Sequence, residues 1–573
     1  GDADAIEVLC QAVRQAEARQ AYREALIILA SLTEVLPTND QRWLGVLDSM
    51  VLEADWIVDH RADVYGAVAV PALRAIDRML PPSVDVARRA ALKYRLGTFL
   101  TWGTGEIEEA ERVNGEARQL FEAAGDPSGA LLAALEDAFI RFAGGDASAW
   151  GSISRQVAEQ AEAAGDPLVT MHAIGRGIGF GALTLGAFDE AEAAFRQAVT
   201  LARHNGRPYF ESLSQLALGL TLGLQGRIDE MEPFLHDAKA VNPCWQEGCI
   251  LEFEAVVRWL AGDYQATLRC VRESVDWNPA GMSRRRGFAT AFGALAATES
   301  DRPAEAQYFL AVGHAAYEER PFAMYTDLVS VARAVYDWRN RRDPDCPAAL
   351  DKAATRMLEM EAWPWAAFAL AYLGDIGVES RRRDVTARAA AGLEETARRL
   401  DRDLYRGLAA LGRAGDELVA QEHTEAAAAA TEAVECIPAA CRVFSARAGE
   451  LLGLALLPLD RPASRRALEA AAAQYDACAA TVRRDRALDR LRRFGHAGKR
   501  AAASLGDSTL TSREQDVARL AATGQTAREI ADNLVIGTRT VETHLVRVYA
   551  KLGVGSKREL TRRAAELGLL TDR

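Results

Sequence analysis

Residues 510–560 read LTSREQDVARLAATGQTAREIADNLVIGTRTVETHLVRVYAKLGVGSKREL. A Ser or Thr followed three residues later by Glu is the sequence form of a capping box. The hydroxyl accepts from one orphan N–H at a helix start, and the Glu carboxylate accepts from another. The stretch holds three such pairs: Thr511 with Glu514, Thr526 with Glu529, and Ser556 with Glu559. Gly537 before Thr538 supplies a fourth start, since glycine is an acceptable N-cap. Gly524, Gly553 and Gly568 each follow a periodic apolar run, where a left-handed cap favours glycine. Alternating starts and stops predict four short helices, over 512–523, 526–534, 538–552 and 557–567.

Only Val535, Ile536 and Gly537 separate the second helix from the third, a helix-turn-helix connection. On the third helix Val541, Leu545, Val548 and Leu552 recur at helical spacing and predict a buried stripe. Its other face carries Arg539, Glu542, Thr543, Val546, Arg547 and Ala550. Val546 has no place on a solvated face, whereas a thymine methyl offers it an apolar contact. Arg539 and Arg547 can reach phosphates or guanine, and Glu542 can accept from a cytosine amino group. A small helical domain that binds protein is the blander reading. Each cap taken singly would suit either reading; the ordered set favours double-stranded DNA.

These residues resemble the LuxR-type, or GerE-type, helix-turn-helix family. LTSRE at 510–514, EIA at 529–531, TVETH at 540–544 and KLGV at 551–554 carry the likeness, over about the last sixty-five residues. The resemblance implies that Thr526 to Leu545 form the motif proper, framed by Thr526, Glu529, Ile530, Ala531, Leu534, Val541, His544 and Leu545. It implies base-reading places for Glu542, Thr543 and Val546, and places near phosphates for Thr540, Arg547 and Lys551. His544 fits the pattern through packing or a phosphate contact. Gly537 stands where the family usually has a Ser cap, and Glu542 where many members have Lys. Leu560, Ala564 and Leu567 form an apolar stripe on the fourth helix, with Ala564 expected at its exposed edge. By resemblance such modules pair through this helix, so a homodimer on DNA is expected. RNA polymerase is a further candidate partner.

Charge distribution bears on the same question. The chain of 573 residues has a formal net charge of −13. From Gly506 onward eleven basic residues face nine acidic ones, so that end is slightly basic while the remainder carries the net negative charge. Affinity should then lean on dimerisation as well as on phosphate contacts. No apolar run approaches the length needed to span a bilayer, and no signal peptide is present, so a cytoplasmic protein is expected. The eight cysteines (Cys10, Cys244, Cys249, Cys270, Cys346, Cys436, Cys441 and Cys478) form no CxxC pair. Buried free thiols are expected, with no metal and no cofactor.

The long region before the module repeats. Glu122-Ala-Ala-Gly-Asp-Pro127 recurs as Glu162-Ala-Ala-Gly-Asp-Pro167, forty residues on. A second anchor, a turn followed by an Ala-rich amphipathic helix, opens at Gly105, Gly145, Gly186, Gly226, Gly262 and Asp301, at spacings of 40, 41, 40, 36 and 39. Such a period with two helices per unit predicts an α-solenoid. Ala191, Phe195 and Ala198 set small, large and small residues on one helix face, which resembles the tetratricopeptide repeat, although these units are longer. The ten tryptophans all lie upstream of the module and are expected mainly as inter-helix core. The glycine-rich Gly175-Arg-Gly-Ile-Gly-Phe-Gly181 lies in a repeat helix, where close packing accounts for it better than a phosphate-binding loop.

Past about residue 345 the register is harder to follow, though helical patterns continue: Ala348–Met360, Trp365–Leu373, Asp384–Leu400, Leu404–Leu411, Glu425–Glu435, Ala446–Leu456 and Arg465–Leu491. Arg483 to Arg493 is rich in both charges and reads as a solvated end-cap helix with i,i+4 pairs. Residues 495–508 read as a linker. No GxxxxGK[ST], HExxH or GxSxG motif is present, and the His residues are dispersed. The expected organisation is all-α: TPR-like repeats over 1–345, less regular repeats over 346–494, the linker, and a LuxR-type four-helix domain over 509–573.

The combination resembles the large ATP-dependent LuxR-family regulators, which carry an ATP-binding domain before their repeats. The chain opens at Gly1 without Met and already inside a helical pattern. The natural protein is expected either to continue upstream with an ATPase or to be a processed or naturally short repeat regulator. The expected function is a sequence-specific transcription regulator whose repeats sense an effector or partner on their concave surface, within residues 100–340. The alternative is a repeat scaffold for a protein partner with secondary DNA binding. An enzyme would need the upstream domain.

Overall fold

The computed structural model describes residues 3–493 and 510–569, apart from residues 20, 38–39, 41, 81–83, 144–145, 242–249, 278–285, 318–322, 535, 565 and 568. The expected linker, Cys244, Cys249, Gly145, Val535 and Gly568 lie outside the described residues. Every element among the described residues is helical. The chain forms two compact units, Gly1–Leu488 and Asp489–Arg573.

In the first unit most helices pack against their sequence neighbours, and many helices two apart also touch. That is the stacking of a solenoid, in which a helix pair buries its apolar face only against the next pair. The unit around Phe188–His204 shows the logic. Ala191, Phe195 and Ala198 are all fully buried. Gly179 on the preceding helix has no side chain because the Phe195 ring fills that space. Gly175 likewise admits Phe210, and Gly177 admits Ser154. Close packing therefore accounts for the glycine-rich segment. Its backbone, over Ala173–Gly179, is a π-helix, and a second π-helical turn spans Leu100–Thr104.

Residues with left-handed backbone recur at Gly105, Gly125, Gly165, Gly186, Gly206 and Gly226. Further along they recur at Glu361, Arg381, Asp401 and Gln421, spaced by twenty residues. Two such turns make one forty-residue unit, so the repeat continues past 345 with non-glycine residues at its turns. Arg465–Leu491, expected as one helix, is two: Arg461–Ala477 and Thr481–Arg493. Ala479 takes the left-handed conformation between them, φ 57°. Neither glycine nor proline marks that break.

The superhelix closes on itself. The Phe188 ring stacks on Tyr405, with centroids 5.9 Å apart. Trp259 meets both Phe368 and Phe444. Arg442 Nε donates to the Ala261 carbonyl at 2.8 Å. The 186–300 part of the surface expected over 100–340 thus packs against the chain's own helices over 363–480. Trp43, Trp150, Trp259, Trp338 and Trp365 are buried, as expected for inter-helix core.

Charge is buried here too. Arg483, 2% exposed, pairs with Glu299 at 3.0 Å and Asp375 at 2.7 Å. Arg447 also pairs with Asp375, at 2.7 Å. Arg486 pairs with Glu379 at 2.5 Å, and Arg339 bridges Glu299 and Glu379. Burial alone would push these three carboxyls up. The surrounding guanidiniums more than cancel that and hold Glu299, Asp375 and Glu379 below the usual carboxylate range. The helix expected as a solvated end-cap is therefore anchored inside the unit. Arg483 and Arg486 face acids far away in sequence, while Arg484 and Arg492 pair nearby with Asp485 and Asp489.

One stretch of the repeats, Pro167–Leu185, is long and apolar enough to cross a membrane by length and composition, which corrects the expectation that none is. Two-thirds of it (67%) is buried inside the unit, as in the core helix of a large helical protein.

Candidate nucleic-acid interface

The module's helices are Ser512–Ala522, Ala527–Leu534, Thr538–Leu552 and Lys557–Arg562. Both halves of the first capping box are made: Glu514 N–H donates to Thr511 Oγ1 at 3.3 Å, and Thr511 N–H donates to Glu514 Oε2 at 2.9 Å. Thr526 and Glu529 form the second box in the same way, at 3.3 and 2.6 Å. At Ser556 the box is shifted by one residue, because Glu559 accepts from the Gly555 N–H at 2.8 Å. Gly537 starts the third helix without a side-chain cap. Gly524 and Gly553 take left-handed turns, φ 95° and 65°.

Ile530, Ala531, Val541, Leu545 and Val548 form the core with Val517, Ala518 and Leu560, and Leu534 packs at its edge. The second and third helices thereby sit fixed on the first. Arg513 strengthens this by donating to the Leu534 carbonyl at 2.8 Å, one of the acceptors left open at a helix end. The opposite face of the third helix is open. Arg539, Thr540, Glu542, Thr543, Val546 and Arg547 are all exposed. Val546 is 68% exposed, the most open of the large apolar side chains among the described residues. The Thr543 hydroxyl donates to the Arg539 carbonyl at 2.9 Å, so its oxygen can still accept a hydrogen bond. His544 is half-buried beside this face.

Two expectations change. Lys551 is not a free phosphate ligand: its ammonium pairs with Glu514, which is itself buried. Burial raises the Glu514 carboxyl, but Lys551 and the Thr511 N–H outweigh it and hold it below its ordinary value. Lys551 thus ties the end of the recognition helix to the cap of the first helix. The fourth helix also stops at Arg562, short of 567, and Leu560 and Ala564 are both fully buried in the module's own core. A domain this small has no other apolar residues to spare, so its own core takes the stripe. Of the three stripe residues only Leu567 is partly open.

Residues 508–564 match the family model of bacterial regulatory proteins of the luxR family. The C-terminal module is a LuxR-type helix-turn-helix domain. A Mycobacterium bovis protein named as an HTH-type transcriptional regulator is 44% identical over 71 residues, which cover 12% of this chain and 8% of that protein. The Escherichia coli response regulatory protein YgeK is 42% identical over 65 residues, 11% of this chain and 44% of its own length. These relatives therefore share the LuxR-type module and little else of their length. Among solved structures, a chain of the Cut9–Hcn1 hetero-tetramer of the APC/C aligns over 98% of this chain and 96% of its own, with a TM-score of 0.42 and 12% identity.

Outside the LuxR-type module, Cys270, Cys346, Cys441 and Cys478 are buried free thiols. Burial pushes the Cys478 thiol up to about 11 and Cys270 up to about 12, which makes both poor nucleophiles. Among the described residues no three His, Cys, Asp or Glu side chains gather in a metal-holding arrangement.

Proposed function

We propose that the chain is a sequence-specific transcription regulator whose third module helix enters a major groove. The exposed Val546, set on an otherwise polar face, carries the reading: a thymine methyl would cover it. Thr543 and Glu542 flank it at base edges, and Arg539, Thr540 and Arg547 reach toward the backbone. Arg539 and Arg547 have no ion-pair partner among the described residues, so both are open to phosphate. Selection of bound DNA from a random pool tests this. One preferred site should emerge, and Arg547→Ala should weaken binding across sequences and lower the salt slope by about one. Recovery of no preferred sequence would overturn the reading.

Pairing on DNA is part of the same proposal. Half-sites about ten base pairs apart between centres would suit a two-fold dimer. With Leu560 and Ala564 committed to the core, the partly open Leu567 and the neighbouring Arg562 are the remaining candidates for the contact. Leu567→Glu should halve the footprint and lower affinity. A footprint of one half-site in the parent chain would remove the dimer.

The repeats are proposed to sense an effector. The self-closure of the superhelix over 186–300 disfavours a scaffold that holds a protein partner in that part of its groove. It leaves the earlier repeats as the place for a ligand.

A further inference from the structure

A small cleft, partly open to solvent, lies among the early repeats. Trp102 and Phe139 form one wall, stacked with centroids 3.6 Å apart and planes 18° apart. Trp150 meets the Phe139 ring edge-on at 5.6 Å. Two charged side chains of opposite sign share the cleft with them. Glu136 is 3% exposed. Its Oε2 accepts from the Trp102 indole N–H at 3.4 Å, while its Oε1 is buried with no hydrogen-bond partner. A buried acceptor left without a donor is unfavourable, more so when charged, so it calls for an explanation. Burial raises the carboxyl, and the Arg176 charge at a distance, with Thr101 and Trp102 as hydrogen-bonding neighbours, only partly offsets this. The Arg176 guanidinium lies 4.8 Å from the Trp102 ring centroid and makes no hydrogen bond or ion pair to a described residue.

The backbone supplies an independent sign. Trp102 lies on the π-helical turn Leu100–Thr104, and Arg176 on the π-helix Ala173–Gly179. These are the two π-helical stretches among the described residues. Such turns are wider and less stable than α-helix and recur at functional sites. Both here aim a residue at one cleft.

We propose that this cleft binds a small zwitterion of the amino-acid class, with its ammonium on Glu136, its carboxylate on Arg176, and an apolar body against Trp102 and Phe139. An ammonium supplies the donors that Glu136 Oε1 lacks. A carboxylate matches the guanidinium fork in bidentate geometry. Aromatic walls select a hydrophobic side chain and disfavour a polar one. The inference rests on the sensing role proposed for the repeats and gives that role a ligand.

Calorimetric titration of the full chain with each of the protein amino acids tests it. At least one apolar amino acid, with L-leucine and L-phenylalanine tried first, should bind one to one. For leucine, 3-methylbutylamine and 4-methylpentanoate each lack one charge, and each should bind about tenfold more weakly or worse. Glu136→Gln should weaken leucine by the same factor. Arg176→Gln, at a half-exposed side chain, should do likewise with unchanged helicity, which guards against a folding defect at the buried site. Absence of binding by any amino acid would overturn the proposal, as would an amine that binds as tightly as leucine or two variants that bind like the parent. Binding to the selected DNA site, followed with and without the amino acid, separates the two readings. Tight amino-acid binding with unchanged DNA affinity would keep the cleft and overturn sensing. A response of DNA binding to some other compound, with no amino acid bound, would keep sensing and overturn this ligand.

Discussion

Gly186 in the repeats and Gly553 in the module have nearly the same backbone, φ 77° and 65°. Both end a helix. Around Gly553 there is open space, whereas a side chain at Gly186 would run into Leu400 and Pro364. Gly226 repeats the pattern, since a Cβ there would lie 2.9 Å from Pro438 Cγ. In the module a turn is only a turn. In the repeats the same turn is also an interface, made with residues about two hundred positions away. Charge divides the same way. The module keeps most of its arginines at the surface, while the repeats bury Arg339, Arg447 and Arg483 among carboxylates. The local part of the molecule displays its chemistry outward, and the long-range part spends its polar groups on holding shape.

The largest test of that contrast is Arg483→Ala. It takes one of two guanidiniums from each of Glu299 and Asp375, which keep Arg339 and Arg447, and breaking a buried pair costs up to about 3–5 kcal/mol. Urea unfolding of the full chain should show the repeat transition moving strongly while the module's transition stays. Acid should act on the same element. Glu299, Asp375 and Glu379 have folded pKa values below their unfolded ones. Their stabilisation is present above the ordinary carboxylate range and is lost as pH falls through the depressed values. An acid response of the repeats no steeper than that of Arg483→Ala would break the assignment.

A paired comparison of glycines comes next. Gly553→Ala should cost only the left-handed backbone term, about 1–2 kcal/mol. Gly186→Ala adds overpacking against Leu400, a further 1–3 kcal/mol or so. Equal losses by thermal melting would mean that the Gly186 turn is not an interface.

Val546→Ala is expected to leave module stability within about 0.5 kcal/mol, since the side chain is exposed. It should change discrimination at one base pair by roughly 1–3 kcal/mol, read by competition between operator variants. A stability loss with unchanged sequence preference would reverse the assignment of this face.

The smallest effect is expected at Lys551, where the module most resembles the repeats. Glu514 has a depressed carboxyl, so its contribution is present above the ordinary range and fades as pH drops through its folded value. Lys551→Met should lower module stability near neutral pH by about 1–2 kcal/mol and flatten its acid response. An unaltered pH profile would show that the pair carries no stability.

Much of this was legible one-dimensionally. Helix starts and stops in the module depend on groups three or four residues apart, so capping boxes at Thr511 and Thr526 could be read directly. The same locality made Val546 stand out on its helix face. In the early repeats glycine marked the left-handed turns and gave the forty-residue period. Further on, Glu361, Arg381, Asp401 and Gln421 hold the same conformation without that mark, and the register disappeared from view although the geometry persisted.

The sequence by itself determined the helical class, the period of the early repeats and the open face of the recognition helix, because each follows from backbone and side-chain preferences within one or two turns. Only the tertiary structure decided that Arg483 is buried, that Lys551 is paired, that Ala564 belongs to a core, and that Glu136 and Arg176 share a cleft. Those outcomes depend on which distant groups meet. Whether a charge is solvated, neutralised or left facing a ligand is set by partners tens to hundreds of residues away, and no local pattern encodes them.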